Sequence, residues 1–414
     1  MITLPAPNWF ERTLHRAFRM VMLTMRRIDP FIRPLFNPWL REPAAAVIQW
    51  AMNLRRKDQG FKPAEERALA GEEESLDSII ETFATYMRQS YRPGEYQRGG
   101  NTKTHGIVQG EFIVRDDVPA HMRHGVFAKP HTYRVWVRFS GPGPDMPKDI
   151  EDVGFVSCAI KLMGVLGPKI LDDEKFTQDF ISVCTPTFVT PDINANALLQ
   201  VHVLRGTPAF YFFTTGFSHF LDFLMQGLWN ETQTSPLEAR YWSCVPYLLG
   251  DGQAMMYSVR PKSNKRSRVP GVPFGHPPDN YLREAMVKTL DATDVEFDFM
   301  VQVQTDPHLM PIEDAGVRWP ERLSPFVPVA TLRIPKQTFD TPERFAFAHN
   351  LSYTPWHCLP EHRPLGNQSR ARRRMYFELR NLRQRMNNTP HREPIDDQQF
   401  VEHGLAEVAA GRRT

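Results

Sequence analysis

Residues 132–140 read Thr-Tyr-Arg-Val-Trp-Val-Arg-Phe-Ser, and this stretch decides the fold class. Its apolar side chains recur at every second position, which is the period of a β-strand whose neighbouring side chains point to opposite faces. One face carries Tyr133, Val135, Val137 and Phe139, and the other carries Arg134, Trp136, Arg138 and Ser140. Arg138 and Ser140 are therefore predicted to share a face.

Further strands and several helices are predicted around this one. The other strands are residues 107–114, 157–163, 295–303 and 329–334. Ser75 can cap a helix, because an apolar stripe follows it that consists of Leu76, Ile79, Ile80, Phe83 and Met87. Residues 196–242 are aromatic and helix-like. The order of a helical N-terminus, strands, a helical middle, strands and a final helix predicts an α+β protein.

The composition is that of an ordinary globular protein. With 41% hydrophobic residues and a net charge of only +3, the chain shows no sign of a nucleic-acid partner. Its four cysteines are widely spaced and form no C-x-x-C pair, which favours a reducing compartment over a disulfide scaffold. No signal-peptide core and no stretch of membrane-spanning length is present, so we expect a cytoplasmic protein without a transmembrane helix.

The N-terminal segment, residues 1–90, is predicted to be helical and basic. Its first part places arginines beside apolar residues at helical spacing, and a second apolar stretch, residues 44–54, ends in Arg55, Arg56 and Lys57. Such helices can lie on an anionic membrane surface. They can equally pack on their own core or on a second subunit. Peripheral membrane contact and a homo-oligomer both remain open at this point.

The final helix contains the residues that indicate chemistry. At about 100° per residue, Arg372, Tyr376 and Arg383 fall on one narrow stripe, so a phenol would be flanked by guanidinium groups. Positive charge lowers the pKa of a tyrosine, and a phenolate is an established axial ligand of haem iron. The alternative is a solvated arginine-rich helix whose tyrosine merely packs on the core.

The stretch from Arg372 to Arg383 resembles the catalase signature. In that family an arginine four residues before the axial tyrosine hydrogen-bonds it, and a later arginine meets a haem propionate. Other landmarks follow in the same order over residues 98–383: Val137-Arg138-Phe139-Ser140, Gly154-Phe155, Ala159-Ile160-Lys161, Thr185-Pro186-x-Phe188 with Asp192, Trp319-Pro320 with Pro325 and Val329, and Ser352-Tyr353-Thr354-Pro355. The resemblance implies an antiparallel β-barrel with surrounding helices and haem b as cofactor.

The resemblance also implies roles for individual residues. Tyr376 would ligate the iron and Arg372 would hold its phenolate. Arg138 and Arg383 would neutralise the propionates, and Arg98 would also contact the cofactor. Ser140 would support the distal residue that moves protons.

The distal side departs from the catalase pattern. Arg98, Asn101 and Lys103 keep the family's spacing, but Asn101 stands where the essential histidine belongs. Either the strand shifts its register so that His105 faces the iron, or the distal base is absent. In the first case Thr104-His105 resembles the catalase-related allene oxide synthases. Val183 and Cys184 also replace the family's paired asparagines, which makes rapid disproportionation of hydrogen peroxide doubtful.

These observations predict a haem-dependent enzyme, a peroxidase or a related lyase or isomerase, that acts on organic hydroperoxides, such as those of fatty acids, or on hydrogen peroxide. The alternatives are a true catalase and a non-catalytic haem- or lipid-binding protein. The predicted organisation is the helical segment 1–90, a barrel domain over residues 91–390 and a C-terminal tail over residues 391–414.

Overall fold

The fold is built around a closed antiparallel β-barrel. The computed structural model describes residues 4–213 and 219–394. Eight strands close the barrel in the order β5-β4-β3-β2-β1-β9-β8-β7, because β5 pairs with both β4 and β7, and β6 adds to β7. The strands are β1 Thr104–Val114, β2 Thr132–Ser140, β3 Ser157–Met163, β4 Thr177–Val183, β5 Tyr241–Trp242, β6 Tyr247–Leu248, β7 Ala254–Pro261, β8 Val295–Val303 and β9 Val327–Ile334.

Side chains fill the inside of this barrel. Val135, Val137 and Phe139 point inward from β2, as their alternation predicts. At the centre, the ring of Phe299 lies 5.0 Å from that of Phe112 and 4.9 Å from that of Phe180. Because the inside is packed with aromatic rings, a site of any size is excluded there and must lie on the outer faces of the strands or at their ends.

Seven α-helices surround the barrel within the described ranges. They are α1 Trp9–Asn53, α2 Glu72–Ser90, α3 Ile193–Leu204, α4 Phe220–Trp229, α5 Tyr281–Leu290, α6 Pro342–Asn350 and α7 Asn367–Met386. Helices α2, α3 and α7 form one layer through an apolar cluster that includes Ile79, Ile193 and Ala371. None of the described helices is long and apolar enough to cross a membrane. The predicted α+β barrel with surrounding helices is confirmed.

The N-terminal segment packs directly on the rest of the chain. Arg370 of α7 forms ion pairs with Glu66 and with Glu72 of α2, at 3.0 and 2.8 Å. It also pairs with Glu313 at 2.8 Å. The boundary near residue 90 stays a prediction, and most of the predicted tail, residues 395–414, lies outside the described residues.

Helix α1 differs from the two separate apolar segments expected from the sequence. It is one helix of 45 residues that contains Pro30, Pro34, Pro38 and Pro43. A proline inside a helix leaves the carbonyl four residues earlier without its usual donor. At Pro30 this loss is compensated, since the Thr232 hydroxyl donates to the Arg26 carbonyl at 2.7 Å.

The predicted cap of α2 is wrong. Ser75 lies inside the helix, and Gly71 occupies the N-cap with a positive φ of 76°. The acidic side chains Glu72, Glu73 and Glu74 fill the first turn, where the helix dipole favours negative charge. The Ser75 hydroxyl instead bonds the side chain of Asn194 on α3 at 2.7 Å.

Candidate functional site

Three buried arginines meet outside the barrel wall. Arg138 projects from the outer face of β2, Arg98 precedes β1, and Arg383 lies near the end of α7. All three were predicted to contact a cofactor. The charge of Arg98 lowers the pKa of Arg138, and the charges of both lower that of Arg383, so the fold brings the three guanidinium groups close together.

The hydrogen-bond partners of these three arginines are neutral oxygens. Arg138 donates to the Thr104 hydroxyl and to the Asn101 carbonyl, both at 2.7 Å. Arg98 donates to the carbonyl of Ala348 at 2.7 Å and to that of Leu351. Arg383 donates to the carbonyl of His349. The carbonyls at the end of α6 therefore hold two of the three guanidinium groups.

No carboxylate among the described residues forms an ion pair with this arginine cluster, defined here as Arg98, Arg138 and Arg383. Burial lowers the pKa of Arg98 to about 10, although Tyr353 raises it. Burial and the charge of Arg98 lower the pKa of Arg138, and burial, Arg98 and Arg138 lower that of Arg383. A buried excess of positive charge is unfavourable unless an anion compensates it. The cluster is therefore suited to bind an anionic group.

Tyr376 lies about two turns and Arg372 about three turns before Arg383 on α7. Tyr376 is partly buried, and it lies near enough to the barrel residue Tyr247 to raise the pKa of that phenol. Arg372 is buried, and its guanidinium carbon lies 5.1 Å from the centre of the Phe188 ring. Among the described residues no hydrogen bond joins Arg372 to Tyr376. The predicted contact with the phenolate is therefore not formed in this structure.

Two properties decide whether haem fits these residues: the charge that the site leaves uncompensated and the space between its side chains. Two propionates would compensate the arginine cluster, so the charge fits. A flat ring between two side chains needs about 7 Å, one van der Waals contact of about 3.5 Å on each face. The distance of 5.1 Å between Arg372 and Phe188 is shorter. A haem ring between these two side chains would therefore require Arg372 to turn away from Phe188, which a long flexible side chain can do.

The sequence left open whether His105 or Asn101 faces this region, and the strand register bears on the choice. Thr104 pairs with Ser140 and Gly106 pairs with Phe139, so His105 is the extra residue of a β-bulge. Two residues of a bulge oppose one partner residue, here the inward-pointing Phe139. This places His105 towards the inside of the barrel, whereas the Thr104 hydroxyl reaches Arg138 on the outside.

The surroundings of His105 agree with that placement. Its ring is buried, and Nδ1 lies 3.7 Å from the carboxylate of Asp149, which pairs with Lys103 at 2.6 Å. Neither ring nitrogen has a hydrogen-bond partner among the described residues. Burial, followed by the charges of Lys103 and Arg138, lowers the pKa of His105 to about 3. The ring is thus neutral at physiological pH.

Asn101 and Ser140 are the remaining predicted residues. Asn101 has a positive φ of 53°, and its carbonyl accepts the hydrogen bond from Arg138. Ser140 is buried at the end of β2, on the same face as Arg138, as the alternation predicts. Asn101 therefore contacts the arginine cluster through its carbonyl, and Ser140 shares the face of Arg138.

A second charged cluster on the same wall was missed in the sequence. Lys161 of β3 forms ion pairs with Glu174 and with Asp179 of β4, at 2.5 and 2.8 Å, and all three side chains are fully buried. His357 joins them at 3.1 Å from Glu174. The Tyr353 ring lies 5.4 Å from the Lys161 ammonium and connects this cluster to the arginines. Lys161 stood out only as a family landmark, because its partners are distant in sequence.

Comparison with known proteins shows similarity at the level of structure alone. No family model matches the chain, and no curated protein matches it. Similar solved structures include a fungal catalase, catalase A from Saccharomyces cerevisiae and a bacterial catalase. Each has a TM-score of 0.48 and 14% sequence identity. The matches cover 81%, 79% and 81% of this chain and 68%, 68% and 67% of those chains, respectively.

Proposed function

We propose that the chain binds haem b on the outer wall of its barrel and acts on organic hydroperoxides. The observation that carries this proposal is the arginine cluster, whose guanidinium groups are buried, close together and bonded to neutral oxygens. Such a cluster matches the two propionates of a haem. The tyrosine seven residues before Arg383 is the protein ligand that the proposal assigns to the iron.

In this proposal each residue of the site has one task. Arg98, Arg138 and Arg383 bind the propionates. Arg372 would turn towards Tyr376 and hold its phenolate by a charge-assisted hydrogen bond. Bound ferric haem would supply the chemistry that cleaves the O–O bond of a hydroperoxide.

The distal side limits what this site can do. Cleavage of hydrogen peroxide benefits from a base that moves a proton between the two oxygens. His105 points away from the arginine cluster, and Asn101 and Ser140 border it instead. We therefore propose slow turnover of hydrogen peroxide and a preference for organic hydroperoxides, whose reactions depend less on that base. The alternative of a true catalase is the least compatible with this arrangement.

A second candidate function is haem binding without catalysis. The orientation of His105 favours it, because a site without any distal base can hold the cofactor and still turn over no peroxide. For either candidate we propose a reducing compartment, since the four cysteines are buried and form no disulfide.

The Tyr376→Phe variant tests haem ligation. The wild-type chain, reconstituted with haem, should show the absorption spectrum of a ferric tyrosinate complex, and Tyr376→Phe should lose it because the anionic ligand is gone. Tyr86→Phe, which changes a half-buried tyrosine on α2, is the matched control and should keep the spectrum. A wild-type chain that binds no haem, or an unchanged spectrum in Tyr376→Phe, contradicts the proposal.

The Asn101→His variant tests the distal side. Histidine tolerates the positive φ of this position better than most residues do. We expect it to raise hydrogen peroxide turnover at least about tenfold, since a positioned base contributes about 10²–10⁴-fold. His105→Ala should leave turnover of cumene hydroperoxide by the otherwise wild-type chain nearly unchanged. A large loss in His105→Ala would show that His105 does reach the substrate, and negligible turnover by every variant would favour haem binding without catalysis.

A further inference from the structure

Helix α1 presents apolar side chains to solvent and polar side chains to the protein. Between Met20 and Leu40 the exposed residues are apolar apart from Thr24. The most exposed are Leu35 at 69% and Trp39 at 82%. At 1.5 Å per residue this exposed face is about 30 Å long. We call it the outer face of α1, defined by Val21, Met25, Ile28, Phe31, Ile32, Leu35, Phe36 and Trp39.

The inward side of the same helix is held by polar contacts. Arg26 is buried and donates to the side chain of Asn230 at 2.9 Å. Arg33 donates to the carbonyl of Leu228 at 2.9 Å, and Arg41 pairs with Glu231 at 2.7 Å. A surface helix of a globular protein normally shows the opposite arrangement. The apolar residues of the outer face are therefore not needed to attach α1 to its own protein.

The ends of this helix are basic. Arg12 and Arg16 lie before the outer face, and Arg55 and Lys57 lie beyond it. All four are exposed, and none forms an ion pair with a described residue. The one exposed acidic residue between positions 9 and 57 is Glu42, which is already paired with Arg318 at 2.6 Å, and the exposed Asp58 directly follows Lys57. The outer face is thus apolar in the middle, without exposed charge, and positively charged at both ends.

We propose that the outer face of α1 lies on an anionic lipid surface. Apolar side chains would enter the boundary between headgroups and acyl chains, with Trp39 and Trp50 at the depth that tryptophan prefers, while the basic ends attract anionic headgroups over about 10 Å. A second copy of the chain is the less suitable occupant. In a two-fold pairing of this helix, parallel or antiparallel, a basic end would always meet a basic end.

The prolines of α1 agree with a position at the membrane surface rather than within it. Pro34, Pro38 and Pro43 each remove a backbone donor. The carbonyls left without that donor remain hydrated among headgroups, whereas they would be strongly unfavourable in the hydrocarbon core. This inference does not depend on the proposed haem site.

Co-sedimentation of the full chain with lipid vesicles tests the proposal. The wild type should bind vesicles of phosphatidylcholine with phosphatidylserine at least about tenfold more strongly than vesicles of phosphatidylcholine alone, because each basic residue near the surface adds about fivefold. Leu35→Glu with Trp39→Glu should weaken binding by about a hundredfold or more, since two apolar side chains no longer enter the membrane. Leu166→Glu with Phe274→Glu, which changes exposed apolar residues elsewhere, is the matched control and should bind like the wild type.

The outcomes separate the occupants. Loss of binding in the α1 variant alone, with an unchanged circular dichroism spectrum, supports the proposal. Equal binding by the two variants, or equal binding to both kinds of vesicle, overturns it. The proposal is also overturned if the wild type does not bind vesicles and instead forms a dimer that the α1 variant does not form. Analytical ultracentrifugation measures the dimer. The haem spectrum of the same samples reports on the proposed function separately.

Discussion

At the scale of single residues, the arginine cluster is the feature that most needs an explanation. A buried cation without a counter-ion is unfavourable, and natural proteins seldom keep one without a purpose. Here Arg98, Arg138 and Arg383 share one region and are satisfied by carbonyl and hydroxyl oxygens. Those oxygens hold the guanidinium groups in position but leave their charge uncompensated. An anionic ligand would supply the missing charge.

The Arg383→Gln variant tests that role at residue scale. A hydrogen bond to a charged group contributes about 1.5–3 kcal/mol, so we expect haem affinity to fall by about tenfold to a hundredfold. Arg374→Gln is the matched control on the same helix, because Arg374 is exposed and already pairs with Asp77 at 2.7 Å. Titration with haem, followed by absorbance, measures both. An equal loss in the two variants would mean that Arg383 acts only through the general charge of α7.

At the scale of elements, the charged cluster around Lys161 joins two strands to the chain before α7. Lys161 on β3 and Asp179 on β4 are paired across the sheet, and His357 comes from the connection between α6 and α7. Burial alone would lower the pKa of His357, but the Glu174 carboxylate and the hydrogen bonds to Asp173 and Asp179 raise it to about 10. The imidazolium therefore stabilises the contact between sheet and connection.

This raised pKa predicts how stability depends on pH. His357 has a folded pKa above its unfolded value of 6.5, so its contribution is fully present below about pH 6.5 and is lost as the pH rises through about 10. His357→Gln should therefore lower the free energy of unfolding more at about pH 6 than at about pH 10. The difference should be on the order of a few kcal/mol, as one pKa unit corresponds to about 1.4 kcal/mol. Urea denaturation at both pH values measures it, and a loss of the same size at both would refute the assignment of charge.

At the scale of the whole molecule, the filled barrel sets the position of everything else. Its inside is packed by aromatic rings, so the strands can present function only on their outer faces and at their ends. Helices α6 and α7 and the connection between them cover that outer wall beside β2 and β3, and α2 and α3 pack on α7 from the other side. The long helix α1 lies on α4 and leaves its outer face uncovered in the single chain.

The Phe180→Ala variant tests the contribution of the packed barrel. Phe180 is fully buried and contacts the rings of Phe112, Phe127 and Phe299. Loss of a large buried aromatic side chain costs about 3–5 kcal/mol, because it leaves a cavity. Phe274→Ala, at a phenylalanine that is 95% exposed, should change the free energy of unfolding by less than about 0.5 kcal/mol. If both variants unfold at the same urea concentration, the barrel interior does not carry the stability.

The sequence by itself determined the α+β class and those strands that have one inward and one outward face. Residues 132–140, 157–163 and 295–303 were predicted with the bounds that the structure has. Strands β4 and β7 were missed, because apolar residues do not recur regularly at every second position of Thr177–Val183 and Ala254–Pro261. The shared face of Arg138 and Ser140 also followed from alternation alone.

Only the tertiary structure decided which residues meet. The convergence of Arg98 and Arg383 on Arg138 depends on how the end of α6 packs, and no local pattern encodes contacts between residues about 250 positions apart. Whether His105 points into or out of the barrel depends on a single bulge in β1, since one extra residue reverses the direction of the side chains before it. The basic amphipathic character of α1 was readable in the sequence. The tertiary structure decided that the apolar side of α1 faces solvent, because the polar side chains of the helix contact the rest of the protein.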